Sequence, residues 1–403
     1  MTRRRQPGAV VAGSKAKIAV LRAAVDKGVR RLEALAPEGQ WSTFRTLAGT
    51  SDVWVTAFVA AHLQAIRPRN SRLRPARSFL LGQQQHDGGW GFGHGVPSDA
   101  DSTAWCLSVL RTFRPAPRAA LIRAEAFLRT HQRGLGFQTY TADSGIREYI
   151  RAPKELSIEG WTSTHPDVTA AVLAAGPART WDASLDAMLG ALIASQTAAG
   201  LIDAYWWRSP YYALALSLRA LRTHRRRPPH VFTARAREVL DGKQLPKGGY
   251  GLGANLEIDA FSTALALEAY SHLAKDAPKT AVSRVADALL AAQRPDGGWE
   301  GAFVLRIPAP SVVNPKSVHK WSAGTGGGNA FVKDKDGIFA TVVACSALDL
   351  HRCVLEGTYS GLERAWAELK PAANRREENV AVLAPQLPPE SERCNAPSST
   401  LSR

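Results

Sequence analysis

Apolar residues along this chain gather into short blocks that are hydrophobic nearly all round, such as TAFVAAHL from Thr56, TAWCLSVL from Thr103 and TALALEAY from Thr263. A helix that is apolar on every side is packed on every side, so these blocks predict helices of an inner layer. Each opens on a related phrase. Aligned on one position the copies read DVWVTA around Thr56, DADSTA around Thr103, HPDVTA around Thr169, RSPYYA around Tyr212, DAFSTA around Thr263 and GIFATV around Thr341. Before most of them stands an amphipathic segment and a turn rich in glycine and aromatics. The best turns are QQQHDGGWGFG from Gln83, QLPKGGYGLG from Gln244 and AAQRPDGGWEG from Ala291; weaker ones are HQRGLGFQ from His131 and SQTAAGLI from Ser195. A supersecondary unit repeated at this spacing predicts one repeat architecture, an all-α (α/α)6 toroid spanning about 28–369 with the six phrases opening its inner helices.

Two intervals between copies are long. Residues 139–163 have weak periodicity and read as a surface excursion, whereas 306–335 are rich in Pro, Gly and Ser and read as a long loop. Residues 1–27 are expected to be a basic N-terminal arm running into the first helix. The polar, Pro-rich residues 370–403 are expected to be a disordered tail.

Composition narrows the functional classes. The 403 residues are 45% hydrophobic and 8% aromatic, enough for a large core. The longest apolar runs fall short of the ~18–20 consecutive residues of a membrane span, and the opening MTRRRQPGAVVAGSKAK has no apolar core before a cleavage site. A cytoplasmic protein is expected, with membrane association left open. Cys106, Cys345, Cys353 and Cys394 form no CxxC pair, which argues against a disulfide framework or thiolate zinc site. The formal charge is +16, but the cations are scattered, with clusters only around Arg3 and Arg225, and no nucleic-acid-binding motif is present. Attraction to an anionic membrane surface or to a diphosphate-bearing substrate accounts for the surplus equally well.

The aromatic turns resemble the QW motifs of the squalene-hopene cyclase and class II terpene cyclase superfamily, and the inner helices resemble the α/α toroid of those enzymes. The similarity covers roughly residues 28–369 and tracks best with the barrel carrying the proton-donating DxDD motif: here DADSTAW, then PDVTAAVL, then three further aromatic turns in the same order. Protonating an alkene or epoxide requires a carboxylic acid kept protonated in an apolar pocket, with neighbours that stabilise its conjugate base. The resemblance assigns that role to Asp101, with Asp99 as supporting acid and Ser102 where the motif has its last Asp, its hydroxyl expected to donate a hydrogen bond to the carboxylate that the donor leaves behind. In the next repeat Asp167 shares the register of Asp101. Ala171 stands where squalene cyclases hold the histidine that supports the donor, and His165 is a substitute from the other end of the turn.

A plainer role competes for some of these residues. Asp52, Asp99 and Asp259 all lie four positions before the aligned residue, where Asp caps a helix. Asp101 is different: its register holds Trp54, Asp167, Pro210, Phe261 and Phe339 in the other repeats.

A carbocation also needs ring faces that stabilise it without trapping it. Trp54, Trp105, Trp161, Trp206, Trp207, Tyr211, Tyr212, Phe261 and Phe339 lie at or near inner-helix starts and are the candidates. Arg208, Arg306 and Lys320 are expected at the barrel mouth for a diphosphate or other polar head, directly or beside Mg2+. Protonation itself calls for no cofactor, and no metal-binding motif is apparent. One barrel leaves a cavity to be closed by the two insertions, by a membrane surface or by a second chain. The implied function is protonation-initiated cyclisation of a prenyl substrate; the alternatives are a toroid that binds a prenyl, lipid or peptide ligand without chemistry, and a sugar-active α/α barrel.

Overall fold

The computed structural model describes residues 7–46, 49–176, 184–252, 257–273, 279–324 and 328–359, with side chains from residue 15 onward. The expected tail, 370–403, and Cys394 lie outside the described residues. Twelve of the helices alternate between an outer and an inner ring. The outer ones are α1 (Pro7–Leu35), α3 (Leu73–Gly82), α5 (Arg118–Thr130), α9 (Leu185–Ala194), α11 (His230–Lys243) and α13 (Lys279–Ala291). The inner ones are α2 (Val53–Ile66), α4 (Ala100–Leu110), α8 (Pro166–Ala174), α10 (Tyr212–Thr223), α12 (Ala260–Leu273) and α14 (Ile338–Leu355). The inner helices touch in the order α2, α4, α8, α10, α12, α14 and back to α2, so the ring closes. This is the (α/α)6 toroid expected from the repeats. Helix α1 begins at Pro7 and packs on α14, so much of what was expected to be an arm is an outer helix.

The repeated threonine has a structural cause. Its side-chain oxygen accepts the backbone N–H of the aromatic residue in the preceding turn: Trp41 on Thr56 (2.9 Å), Trp90 on Thr103 (2.9 Å), Phe137 on Thr169 (2.9 Å), Tyr250 on Thr263 (3.0 Å) and Trp299 on Thr341 (3.0 Å). The ring of that aromatic then reaches the outer helix, as when the Trp90 indole N–H donates to the Leu80 carbonyl at 2.6 Å. The turn glutamines fasten neighbouring repeats. Gln84, Gln196, Gln244 and Gln293 each donate to a glycine carbonyl of their own turn and to a carbonyl of the next outer helix, and Gln293 closes the circle on Ala24 of α1 (2.8 Å). The turn glycines allow this approach. Gly88 has φ +91°, and a Cβ there would lie 2.6 Å from the Arg123 carbonyl oxygen.

By length and mean hydropathy α14 qualifies as a membrane span, but it is wedged between α1, α2 and α12 and is two-thirds buried. Asp52, Asp99 and Asp259 do cap α2, α4 and α12. A further cap was not anticipated from sequence: Asp334 accepts from the backbone N–H groups of Ile338 and Ala340 at the start of α14.

The two insertions lie together over the end of the barrel where the inner helices begin. The first holds two short helices, α6 (Ile146–Tyr149) and α7 (Glu159–Thr162), around a small apolar cluster of Tyr140, Ile146 and Ile158. It is therefore a packed cover rather than a surface excursion. The Gly160 N–H and the Trp161 indole donate to the Pro310 and Pro308 carbonyls of the second insertion, at 2.8 and 3.0 Å. That second insertion forms a small sheet of residues 305–307, 322–323 and 330–332 and pairs with 206–208 of the barrel.

Candidate active site

Under this cover lies a cavity whose floor carries the acids. It is lined by Trp54, Phe92, Val96, Asp99, Asp101, Ser102, Trp206 and Trp207 from the barrel, by Thr139, Tyr140, Ile146, Tyr149, Ile150 and Trp161 from the first insertion, and by Leu305 and Ile307 from the second, with Thr46 at its edge. The two insertions, among the described residues, supply the closure that a single barrel needs.

The acids differ in their bonds. Asp99, at the N-cap of α4, accepts from the Ser102 backbone N–H and from the Ser102 hydroxyl, both at 2.7 Å. Burial raises its carboxyl to about 7 against those two bonds. Asp101, on the first turn of α4, is half-buried and opens into the cavity. Its Oδ2 accepts from the Trp54 indole N–H at 2.8 Å. Burial, followed by the charges of Asp99 and Asp167, pushes the Asp101 carboxyl well above the usual carboxylate range. No cation pairs with either acid among the described residues, so no neighbouring positive charge opposes the upward shift of Asp101, which faces an apolar, aromatic chamber.

Several expectations need correction. The Ser102 hydroxyl serves Asp99, not Asp101, because the helix cap brings it to the carboxylate three residues back. Asp167 is buried against the Trp206 backbone N–H (3.0 Å) and acts on Asp101 only through its charge. His165 gives its Nε2 to the Gly160 carbonyl (2.8 Å) and stacks on Tyr205 at 3.8 Å; burial depresses its basicity, so it is a neutral fastening of the cover and not a partner of the donor. The hydrogen bond expected from a histidine comes from Trp54.

Of the nine aromatic candidates, Trp54, Trp161, Trp206 and Trp207 line the cavity. Tyr212 and Phe261 stack behind Trp207, at 4.1 and 5.2 Å, and Phe339 lies behind Trp54 at 5.1 Å, forming a second layer. Trp105 lines a chamber at the opposite end of the barrel while its indole also acts to lower the Asp101 carboxyl, and Tyr211 packs on Tyr250. Arg208, Arg306 and Lys320 are absent from the lining. In the strand 305–307 alternate residues face the cavity, so Leu305 and Ile307 point in and Arg306 points away to the Tyr205 and Ala204 carbonyls. Arg208 donates to the Phe303 carbonyl and lies 4.0 Å over the Phe331 ring, and Lys320 is exposed.

The residues missed from sequence are those of the cover and the rim. Ile146, Tyr149 and Ile150 fall at i, i+3 and i+4, a one-turn apolar face that was legible; Phe92, Val96 and Ile307 carried no such signal.

No family model matches the chain. Drimenyl diphosphate synthase of Streptantibioticus cattleyicolor is 29% identical over 230 residues, which are 55% of this chain and 40% of that relative. The chain thus spans less than half the length of this curated relative. Among solved structures, a variant of the type II terpene cyclase MstE from Scytonema, in complex with geranylgeranyl dihydroxybenzoate as substrate, superposes with a TM-score of 0.75 at 28% identity, covering 84% of this chain and 99% of that one. A protein from Actinoplanes matches with a TM-score of 0.73 at 29% identity, covering 82% of this chain and 99% of that one. The resemblance to class II terpene cyclases that the repeats and the acid motif carry is thereby borne out, over the length of one complete barrel.

Proposed function

We propose that this protein cyclises an isoprenoid by protonation. Asp101 donates its proton to a terminal alkene carbon or an epoxide oxygen. The resulting carbocation is drawn into ring closure by internal double bonds, and loss of a proton or capture by an internal nucleophile ends the reaction. The Trp54 indole holds the Asp101 carboxylate left behind, and the faces of Trp54, Trp161, Trp206, Trp207 and Phe92 stabilise positive charge without reacting with it. The observation that carries this reading is a carboxyl without a cationic partner among the described residues, shifted upward by burial and by neighbouring acids and opening into an aromatic cavity. Class II chemistry of this kind needs no cofactor. The similarity to cyclases of prenyl compounds supports an isoprenoid as substrate.

The test is product analysis after incubation with prenyl compounds of several chain lengths. Asp101→Asn is expected to lower turnover at least about 10³-fold, roughly 4 kcal/mol of transition-state stabilisation, with an unchanged circular dichroism spectrum. Near-normal cyclisation by this variant would overturn the reading.

A further inference from the structure

We infer that the substrate's head is uncharged and aromatic, a prenylated phenol rather than a prenyl diphosphate; this rests on the proposed cyclisation at Asp101. With the reacting end of the chain at the floor, the head lies beneath the cover. There the lining is Thr139, Tyr140, Tyr149, Ile150 and Trp161, with no cation among the described residues. The rings are placed for stacking: Tyr140 and Trp161 are 6.0 Å apart, Trp161 and Trp206 5.6 Å, and Tyr149 stands partly exposed at the lip.

Several cations of the cover and of the strand beneath it are engaged elsewhere. Arg147 donates to the Pro153 and Leu156 carbonyls at 2.7 and 2.8 Å, Lys316 pairs with Asp203 at 2.6 Å, and Arg208 and Arg306 are held by backbone carbonyls. Arg45 and Arg151 are exposed to solvent, where their pull on an anion is screened. A diphosphate under the cover would be desolvated without a counter-charge, in a cavity that already holds acids. A phenol ring loses little on the same transfer, and its hydroxyl needs one hydrogen-bond partner.

Binding separates this inference from the cyclisation reading. The Asp101→Asn variant, which holds substrate without turning it over, is titrated with farnesyl and geranylgeranyl chains bearing a diphosphate, a hydroxyl or a phenol, following quenching of the cavity tryptophans. The phenol-headed chain is expected to bind at least tenfold more tightly than the diphosphate of equal length, with the alcohol between. Tyr149→Ala in the same background is expected to weaken the phenol several-fold and leave the alcohol unchanged. A preference for phenol below tenfold, or an equal effect of Tyr149→Ala on phenol and alcohol, overturns the inference. Absence of products from wild-type protein with every compound would instead bring down the cyclisation reading and leave the binding order standing.

Discussion

The two ends of the barrel both hold carboxyl groups away from solvent and shift them in opposite directions. Where the inner helices begin, Asp99 and Asp101 have only indole, hydroxyl and amide donors, and Asp99 is raised to about 7. Where they end, Glu268 receives two hydrogen bonds from Arg219, at 2.8 and 2.9 Å; burial pushes it up most strongly, but the guanidinium together with the neighbouring His272 and His62 outweighs burial and holds it at about 2. His62 and His272 flank that pair as neutral rings, their basicity lowered by burial. Burial alone therefore does not decide which way a carboxyl shifts. The missing cation does.

The comparison breaks most sharply at Arg219. Arg219→Met leaves Glu268 buried without its cation, with only the His272 contact remaining, and is expected to cost about 3–5 kcal/mol at neutral pH in urea denaturation. The loss should shrink as pH falls, because a Glu268 whose folded pKa is now raised takes up a proton and ceases to be a buried charge. An unchanged midpoint would mean that the pair does not set the state of this end.

At the other end, Trp54→Phe removes the N–H that holds the Asp101 carboxylate. A hydrogen bond to a charged group is worth about 1.5–3 kcal/mol, so kcat is expected to fall about 10- to 100-fold with little change in KM. A change in KM alone would mark Trp54 as packing only.

Asp99 sharpens the picture through pH. In the proposed mechanism Asp101 acts when protonated, so turnover is expected to decline as pH rises through its raised pKa. The Asp99 charge helps to hold that proton, and Asp99→Asn keeps the helix cap while removing the charge; the alkaline limb of kcat/KM is expected to move down by roughly one pH unit. The stability that wild-type Asp99 contributes as a neutral acid is complete below pH 3.8 and is lost as pH rises through about 7, so the variant should also gain stability over wild type above that point. An unmoved limb would show that the two acids do not interact. The smallest effect belongs to Ser102→Ala, expected to cost about 1 kcal/mol of stability through the bond to Asp99 and to leave turnover near normal, because the hydroxyl does not touch Asp101.

Much of this was legible in the chain. The Thr-Ala phrases mark inner helices because in five of the six repeats one hydroxyl ties an aromatic turn to its helix, and in four turns a glutamine holds the next outer helix. Asp101 stood out because its register is otherwise mostly aromatic or apolar. What could not be read was the direction of side chains outside the repeats. Arg208 and Arg306 look like head-group ligands in sequence, yet strand alternation and nearby carbonyls turn them away from the cavity. His165 looked like a donor's partner, and the turn geometry gave it to Gly160 instead.

By itself the sequence determined the closed ring of helices and the position of the acids at one mouth of it, since periodicity and a repeated hydrogen-bonding residue are local properties that add up along the chain. The tertiary structure decided which groups surround those acids. Trp54 reaches Asp101 from another repeat, two insertions distant in sequence close over the cavity, and Arg219 finds Glu268 across the opposite end. A carboxyl's charge depends on neighbours within a few ångströms, and folding alone chooses those neighbours.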